Sequence, residues 1–181
     1  MTLICVLGHS GSGKSAVEKG LEEVGFNRII SYTTREPRGR EENGVDYNFV
    51  SREDFLSLLD KGILMEHAEY RGNLYGAPKP VGGLNHVIVV EAKGYETIRE
   101  MYGDQVIGVY IDVDEETIRN RIINRSDTSI EEANIRVEED KNVFANIKDK
   151  VDIIVDGRKP INTIIQTILE FKQSRENRIN K

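Results

Sequence analysis

The sequence predicts a three-layer α/β fold, in which a mainly parallel sheet lies between helices. Short, continuous apolar runs are typical of strands buried on both faces, and segments with helical spacing separate these runs. Strands and helices that alternate in this way favour parallel pairing, with helices on both faces of the sheet. The predicted strands are 3–7, 87–91, 106–113 and 151–156, and the predicted helices between them are 14–23, 95–102, 115–124 and 131–147.

Local patterns justify the first and last elements. The first apolar run leads through a glycine-rich loop into a helix that begins at Lys14 and ends before Gly25. The polar tail 174–181 is expected to fray. The helix before this tail carries apolar residues on one side, which indicates core packing. These residues are Ile161, Ile164, Ile165, Ile168 and Leu169.

Residues 31–85 interrupt the alternation and predict an insertion of mixed structure. A polar loop opens the segment, and a short helix is expected to begin at Ser51. Two strands, 64–70 and 73–77, flank a two-residue turn and indicate a hairpin. A second irregular patch, 126–129, separates two arginine-bearing helices, and the second of these is expected to be capped by the threonine or the serine that closes the patch.

Composition and charge limit the possible functions. The 181 residues carry a formal net charge of −6, which argues against general affinity for nucleic acid or anionic membrane. No apolar run approaches the roughly eighteen residues of a membrane span. Cys5 is the only cysteine, and its apolar surroundings indicate a buried core residue in a reducing compartment. We expect a cytoplasmic protein with no nucleic-acid or membrane partner, and either a monomer or a homodimer.

The segment from Gly8 to Ser15 matches the full pattern G-x-x-x-x-G-K-[ST]. Its glycines let consecutive backbone N–H groups turn toward phosphate oxygens, and the next helix adds the positive end of its dipole. Lys14 is expected to reach the β- and γ-phosphates of ATP, and the Ser15 hydroxyl to ligate Mg²⁺. The expected ATP-binding residues are Gly8, His9, Ser10, Gly11, Ser12, Gly13, Lys14 and Ser15, of which His9 occupies a free position of the pattern.

Two arginines of the insertion indicate a second anion site. Arg35 and Arg38 lie three residues apart, and Tyr47 offers a phenol nearby in the sequence. Guanidinium groups match phosphate oxygens bidentately. Glu66 and Tyr75 add a carboxylate and another phenol further along. The alternatives are ordinary surface charge for the arginines, hairpin packing for Tyr75 and a solvated carboxylate for Glu66.

The order and spacing of three motifs resemble the guanylate kinase family. The motifs are S-x-T-T-R-x-P-R, G-x-D-Y-x-F-V and G-N-x-Y-G, which begin at Ser31, Gly44 and Gly72. The resemblance runs from position 3 to about position 171, and it is most specific through Ala77.

This resemblance implies the organisation of the chain and its reaction. It implies a P-loop three-layer fold with a mixed α+β monophosphate-binding insert at about 31–85 and a helical lid at about 115–146. The implied enzyme transfers the γ-phosphate of ATP to GMP or dGMP, with Mg²⁺, by positioning and charge neutralisation. The core of this single domain is then about 1–30, 86–114 and 147–181.

The resemblance also implies the site residues. A carboxylate suits guanine, because guanine presents N1–H and N2–H₂ side by side, whereas adenine turns a lone pair toward the same place. Ser31 and Glu66 are expected to face the guanine, and the acceptor phosphate is expected to contact Arg35, Arg38, Tyr47 and Tyr75.

The lid arginines complete the expected catalytic set. Arg121 and Arg125 are four residues apart, so they share one face of a helix, and Ile118 and Ile122 are expected to dock the adjoining face. A salt-bridged, solvent-exposed face is the alternative. The expected catalytic residues are Lys14, Arg35, Arg121, Arg125 and Arg136.

Position 77 and the strand motif at 89–94 depart from the family pattern, and the connection between them is several residues shorter than in the family. The residue after Gly76 is usually a base-reading hydroxyl, and here it is Ala77. The strand motif D-x-D-x-Q-G has Val89 at its first acid and Glu91 at its second. We expect Glu91 to orient substrate or, with Ser15, the metal ion, and the alternative is a strand-end carboxylate that faces solvent.

These departures leave the acceptor open. Kinases for another nucleoside monophosphate or a phosphorylated metabolite remain alternatives, as does a non-catalytic binding module on the same fold. The intact Lys14-Ser15 pair and the lid arginines favour an enzyme over a binding module. A GTPase switch is disfavoured, because the sequence has no separate N-K-x-D motif.

Overall fold

The structure, a computed structural model, describes residues 1–39, 41–126 and 129–179, with the side chains of residues 125, 126 and 179 outside the description. Within these ranges the chain forms nine strands and six α-helices. The strands are β1 (Leu3–Leu7), β2 (Asn27–Arg28), β3 (Tyr32–Thr33), β4 (Asn48–Phe49), β5 (Leu64–Tyr70), β6 (Asn73–Pro78), β7 (His86–Val89), β8 (Val106–Asp112) and β9 (Ile153–Asp156). The helices are α1 (Lys14–Glu23), α2 (Arg52–Asp60), α3 (Ala92–Tyr102), α4 (Glu115–Ser126), α5 (Ile130–Val143) and α6 (Ile161–Ile179).

The central sheet has five parallel strands in the order β2-β7-β1-β8-β9. All of β1 is buried, and its side chains alternate between two apolar clusters. Leu3, Cys5 and Leu7 pack with α3 and Phe144, while Ile4 and Val6 pack with α1 and α6. Helices therefore cover both faces of the sheet, which confirms the predicted three-layer α/β fold and the buried Cys5.

The insertion forms a second sheet, in the order β4-β3-β6-β5. Its centre is the antiparallel β5–β6 hairpin, in which Glu66 lies opposite Ala77. Helix α2 begins after Ser51, whose hydroxyl accepts the Asp54 backbone N–H at 3.0 Å, so the predicted capping serine is confirmed. Phe55 of α2 is fully buried. The short strands β3 and β4 were not predicted, because each is only two residues long and depends on pairing with a separate segment, β3 with β6 and β4 with β3, rather than on local pattern.

Several predicted boundaries were wrong. Helix α5 ends at Val143 rather than at 147, because residues 144–150 form turns that carry the chain back toward β9. Helix α3 begins three residues before the predicted start, and β7 ends at Val89 rather than at 91. Strand β8 ends at 112 instead of 113, and β9 begins at 153 instead of 151. Ser129 caps α5 by accepting the Glu132 N–H at 3.2 Å, whereas Thr128 lies outside the described residues.

The expectation of a fraying tail was also wrong for residues 174–179, which continue α6. Arg175 holds this end of the helix, since its guanidinium donates to the Val106 carbonyl at 2.8 Å and to Asp152 at 3.1 Å. These interactions join residues far apart in sequence and therefore leave no local signature. None of the described helices has the length and apolar composition needed to cross a membrane.

Candidate active site

The P-loop, residues 8–15, connects β1 to α1 at the carboxyl edge of the central sheet. Its glycines adopt positive φ angles, 147° at Gly8, 78° at Gly11 and 106° at Gly13, which residues with a Cβ rarely reach. Gly13 caps α1 without a side-chain hydrogen bond, and the first turn of α1 contains no acidic residue. The positive end of this helix is therefore left available to an anion.

Lys14 and Ser15 occupy the first turn of α1. The Lys14 Nζ donates to the carbonyls of Gly8, at 2.6 Å, and His9, at 3.0 Å, so its ammonium lies against the loop. Ser15 is exposed at the same end of the helix. The imidazole of His9 turns away and packs against Phe144, with ring centroids 5.6 Å apart.

Arg35 is a buried charged group of the insert, with 8% of its surface exposed. Its guanidinium donates to both carboxylate oxygens of Glu41, at 2.9 and 3.1 Å, and lies 5.4 Å from the ring centroid of Tyr47. Burial alone would lower the pKa of Arg35, but the hydrogen bonds and charge of Glu41 outweigh it and raise the pKa. The role of Glu41 was not predicted, although an acid in the same loop as Arg35 indicates a possible ion pair.

One region of the site contains three guanidinium groups and two phenols. The guanidinium groups belong to Arg35, Arg38 and Arg136, and the phenols to Tyr47 and Tyr75. Partial desolvation, then the positive charges of Arg35 and Arg136, lower the pKa of Arg38. An α5 residue and two insert residues therefore lie near enough to repel one another, and the region is electropositive. Tyr47 and Tyr75 lie edge to face, with centroids 6.1 Å apart, and burial raises the pKa of Tyr47 to about 12. The Tyr47 hydroxyl therefore stays protonated and can donate to an anion at neutral pH.

Glu66 and Glu91 form the acidic side of the site. Burial raises the pKa of Glu66 to about 7, partly offset by a hydrogen bond from the Ala77 backbone N–H and reinforced by the charge of Glu91. Gly94 leaves room for this carboxylate, since a Cβ there would lie 2.6 Å from the Glu66 Oε2. Burial also raises the pKa of Glu91, against the opposing charge of Lys14. Glu91 is only partly exposed, so it does not simply face open solvent.

The arginines predicted to belong to the lid make different contacts in the structure. The Arg121 guanidinium donates to the carbonyls of Ser12, at 3.2 Å, and Gly157, at 3.1 Å, so it braces the P-loop through its backbone. Arg136 pairs with Glu132 on the same helix. The side chain of Arg125 lies outside the described residues. Ile118 and Ile122 are buried between α4 and α5, as expected for the docking face of α4.

Two consecutive acids of α5 were not identified from the sequence. The Asp140 Oδ2 accepts the Ser10 backbone N–H at 2.6 Å, and Glu139 Oε2 accepts from the Arg71 Nε at 2.7 Å and the Tyr70 hydroxyl at 3.1 Å. Glutamates and aspartates are frequent throughout α5, so the pattern gave no sign of which of them face the site.

Comparisons with known proteins agree with this geometry. The guanylate kinase family model matches residues 1–174. A guanylate kinase from Listeria monocytogenes is 33% identical over 91% of this chain and 87% of its own length, and one from Oceanobacillus iheyensis is 30% identical over 99% and 91%.

Comparison with solved structures also shows similarity to a guanylate kinase. The guanylate kinase of Anaplasma phagocytophilum superposes with a TM-score of 0.75 at 25% identity, covering 97% of this chain and 86% of that one. A gluconokinase from Sinorhizobium meliloti, at 16% identity and a TM-score of 0.56 over 97% of this chain and 94% of its own, shares the fold. With the family model matched over nearly its whole length and the P-loop and anion site in place, the chain belongs to the guanylate kinase family.

Proposed function

We propose that this protein transfers the γ-phosphate of ATP to GMP, giving ADP and GDP. One observation carries the proposal: the chain combines a P-loop, whose helix end holds no acidic residue, with an insert in which Glu41 and Tyr47 hold Arg35 and which also carries the partly buried carboxylate of Glu66. This arrangement offers two phosphate-binding regions and one base-reading acid. A site for a single nucleotide would not need the second region.

The donor half of the site consists of the P-loop and the lid. In our proposal the Lys14 ammonium leaves the Gly8 and His9 carbonyls and neutralises the β- and γ-phosphates. The backbone N–H groups of the loop hold the remaining phosphate oxygens. We assign Arg121, Arg125 and Arg136 to charge neutralisation, with Arg121 also bracing the loop through the carbonyl contacts described above.

The acceptor half is the insert. Arg35, Arg38, Tyr47 and Tyr75 would hold the GMP phosphate, since they present guanidinium and phenol donors to one region. Ser31 and Glu66 would face the guanine. In our proposal an acceptor phosphate oxygen attacks the γ-phosphorus in line, and ADP leaves with its new negative charge beside Lys14.

The chain can bind magnesium as an ion that the phosphates of ATP mainly hold. The described residues contain no group of three or more His, Cys, Asp or Glu side chains that would hold a metal by themselves. Mg²⁺ with ATP needs only one or two protein oxygens, and Ser15 and Glu91 are the candidates. When bound, the ion would neutralise charge on the β- and γ-phosphates.

We also propose the moving parts and the location. The insert, about 31–85, and the lid, about 115–146, would close over the two nucleotides and exclude water, so that ATP is not simply hydrolysed. The single buried thiol of Cys5 is compatible with the reducing cytoplasm in which we place the enzyme.

An acceptor survey tests this function. The protein is incubated with ATP, Mg²⁺ and each of GMP, dGMP, AMP, CMP and UMP, and ADP is followed. We expect GMP to be the best acceptor. ADP formation with none of the five would contradict the kinase proposal and favour a binding module, and a preference for AMP or UMP would show that Glu66 does not read guanine.

A matched pair of variants tests the P-loop. Lys14→Met should lose turnover by at least about a hundredfold, because the transferred phosphate loses its nearest positive charge. Lys19→Met, an exposed lysine further along the same helix, should keep it. Equal turnover in the two variants would exclude Lys14 from the reaction.

A further inference from the structure

Glu139 and Asp140 are neighbours on α5 but contact different parts of the protein. Asp140 accepts the backbone N–H of Ser10, in the P-loop. Glu139 accepts from Tyr70 and Arg71, at the tip of the β5–β6 hairpin of the insert. Consecutive helical residues point about 100° apart, so one turn of α5 can reach both structures.

The two contacts differ in strength. Asp140 is 4% exposed, and a buried carboxylate that accepts a backbone N–H is costly to separate from it. The Arg71–Glu139 ion pair is partly exposed, with 30% and 39% of the side chains accessible, so it can break and re-form at low cost. The contact between Asp140 and the P-loop should therefore persist longer than the contact between Glu139 and the hairpin tip.

The hairpin tip also carries a conformational cost. Arg71 has a φ of 51°, and it is the only non-glycine residue with positive φ among the described residues. Asparagine and glycine are the usual residues at such turn positions, and an arginine there is strained. From this strained position the Arg71 guanidinium donates to Glu139, and a glycine at the same position could not make this contact.

We propose that Glu139 and Asp140 are positioning residues that couple the monophosphate-binding insert to the P-loop through one turn of α5. The names of the two sites rest on the proposed function, but the coupling itself does not. Neither residue needs to touch a nucleotide. Since coupling between two sites is reciprocal, an acceptor that stabilises the hairpin contact should raise the affinity for the donor, and the donor should do the same for the acceptor.

Hydrogen exchange on the nucleotide-free protein tests the coupling. We compare wild type with Glu139→Gln and use Glu138→Gln as the matched control, because Glu138 is exposed on the same helix and pairs only with Lys141 among the described partners. In Glu139→Gln we expect amide exchange to rise about threefold or more in both the hairpin, 64–78, and the P-loop, 8–13, and to stay unchanged in the control. A rise confined to the hairpin would overturn the proposal.

The isosteric Asp140→Asn variant gives the reciprocal measurement. Asparagine keeps an acceptor oxygen but loses the charge, so the variant should fold, and a melting temperature near that of wild type checks this. We expect faster exchange in the P-loop and, through α5, in the hairpin. Unchanged exchange at Ser10 and its neighbours would show that Asp140 does not hold the loop.

Nucleotide binding separates this inference from the proposed function. The affinity for a non-hydrolysable ATP analogue is measured with and without GMP. We expect GMP to raise it about fivefold or more in wild type and in Glu138→Gln, and less than about twofold in Glu139→Gln. The same enhancement in Glu139→Gln as in wild type would contradict the coupling. Failure of wild type to bind either nucleotide would instead overturn the proposed function, and the exchange result would still decide the coupling.

Discussion

Both carboxylate oxygens of Glu41 accept hydrogen bonds from the Arg35 guanidinium, at 2.9 and 3.1 Å. The pair is largely buried, with 9% of the Arg35 side chain and 15% of the Glu41 side chain exposed. The arginine is therefore held in one orientation before any nucleotide binds. Preorganised charge of this kind lowers the cost of binding an anion, because no side chain has to be ordered afterwards.

Arg35→Lys should raise the KM for GMP about tenfold or more, with a smaller effect on kcat. An ammonium is a point charge and cannot hold Glu41 bidentately while it also contacts a phosphate. Steady-state kinetics with varied GMP measure this. The control is Arg52→Lys, since Arg52 is exposed and its pair with Glu69 is 3.8 Å long. Equal KM values for the two variants would remove Arg35 from the acceptor site.

GMP binding should weaken as pH falls below about 7. The pKa of Glu66 is about 7, and only its ionised form can accept both N1–H and N2–H₂ of guanine. Below this pH the carboxyl must first lose a proton, so the apparent KM for GMP should rise toward tenfold per pH unit. Glu66→Gln should have a high KM with little dependence on pH from 6 to 8. A similar pH profile in the variant would assign the titration to another group.

The same carboxyl should reduce stability at higher pH. Its pKa is raised above the ordinary value of 4.5, so the folded protein binds more protons than the unfolded chain between about pH 4.5 and 7. Stability contributed by the neutral form is complete at low pH and is lost as pH rises through about 7. Relative to Glu66→Gln, wild type should lose on the order of 1 kcal/mol between pH 5 and 8 in urea unfolding. A constant difference between the two proteins would contradict this.

Ala77→Ser should improve the use of GMP. Ala77 is fully buried beside Glu66, and the family usually has a base-reading hydroxyl at this position. A hydrogen bond to the base would contribute about 0.5–1.5 kcal/mol, so kcat/KM for GMP over AMP should rise about twofold to tenfold. Ala133→Ser, at a fully buried position of α5, is the control for the cost of burying a hydroxyl. No gain in the ratio would indicate that position 77 does not reach the base.

The sequence was sufficient for the features set by local pattern. The P-loop needs a glycine spacing, a lysine and a hydroxyl in one stretch, and the buried strands need only continuous apolar residues. Both predictions agree with the structure. The insertion was recognised because it breaks the alternation, but its two-residue strands were missed, since β3 exists through pairing with β6 and β4 through pairing with β3.

Contacts between distant segments could not be predicted. The motif spacing suggested that Arg35 and Arg38 face an anion, but nothing in it showed that Glu41 holds Arg35 or that Arg121 bonds the P-loop carbonyls. Asp140 reaches Ser10 across 130 positions of the chain, and the four other acids of α5 have similar sequence surroundings. Which acid faces the site depends on how α5 docks, and tertiary packing decides that.

Asp152→Asn should destabilise the fold without changing the kinetics. Asp152 lies at the edge of the sheet opposite the P-loop, where Arg99 donates to it at 2.9 and 3.0 Å and the Gly108 N–H at 2.8 Å. Arg175 of α6 also donates to it. Removing the charge leaves two partly buried guanidinium groups without their shared partner, so the free energy of unfolding should fall by about 2–4 kcal/mol.

Because this network touches neither nucleotide site, KM for ATP and GMP should stay within about twofold, and the last turns of α6 should exchange amide protons faster. A large rise in either KM, with stability unchanged, would show that this edge of the sheet contributes to the active site rather than to the fold.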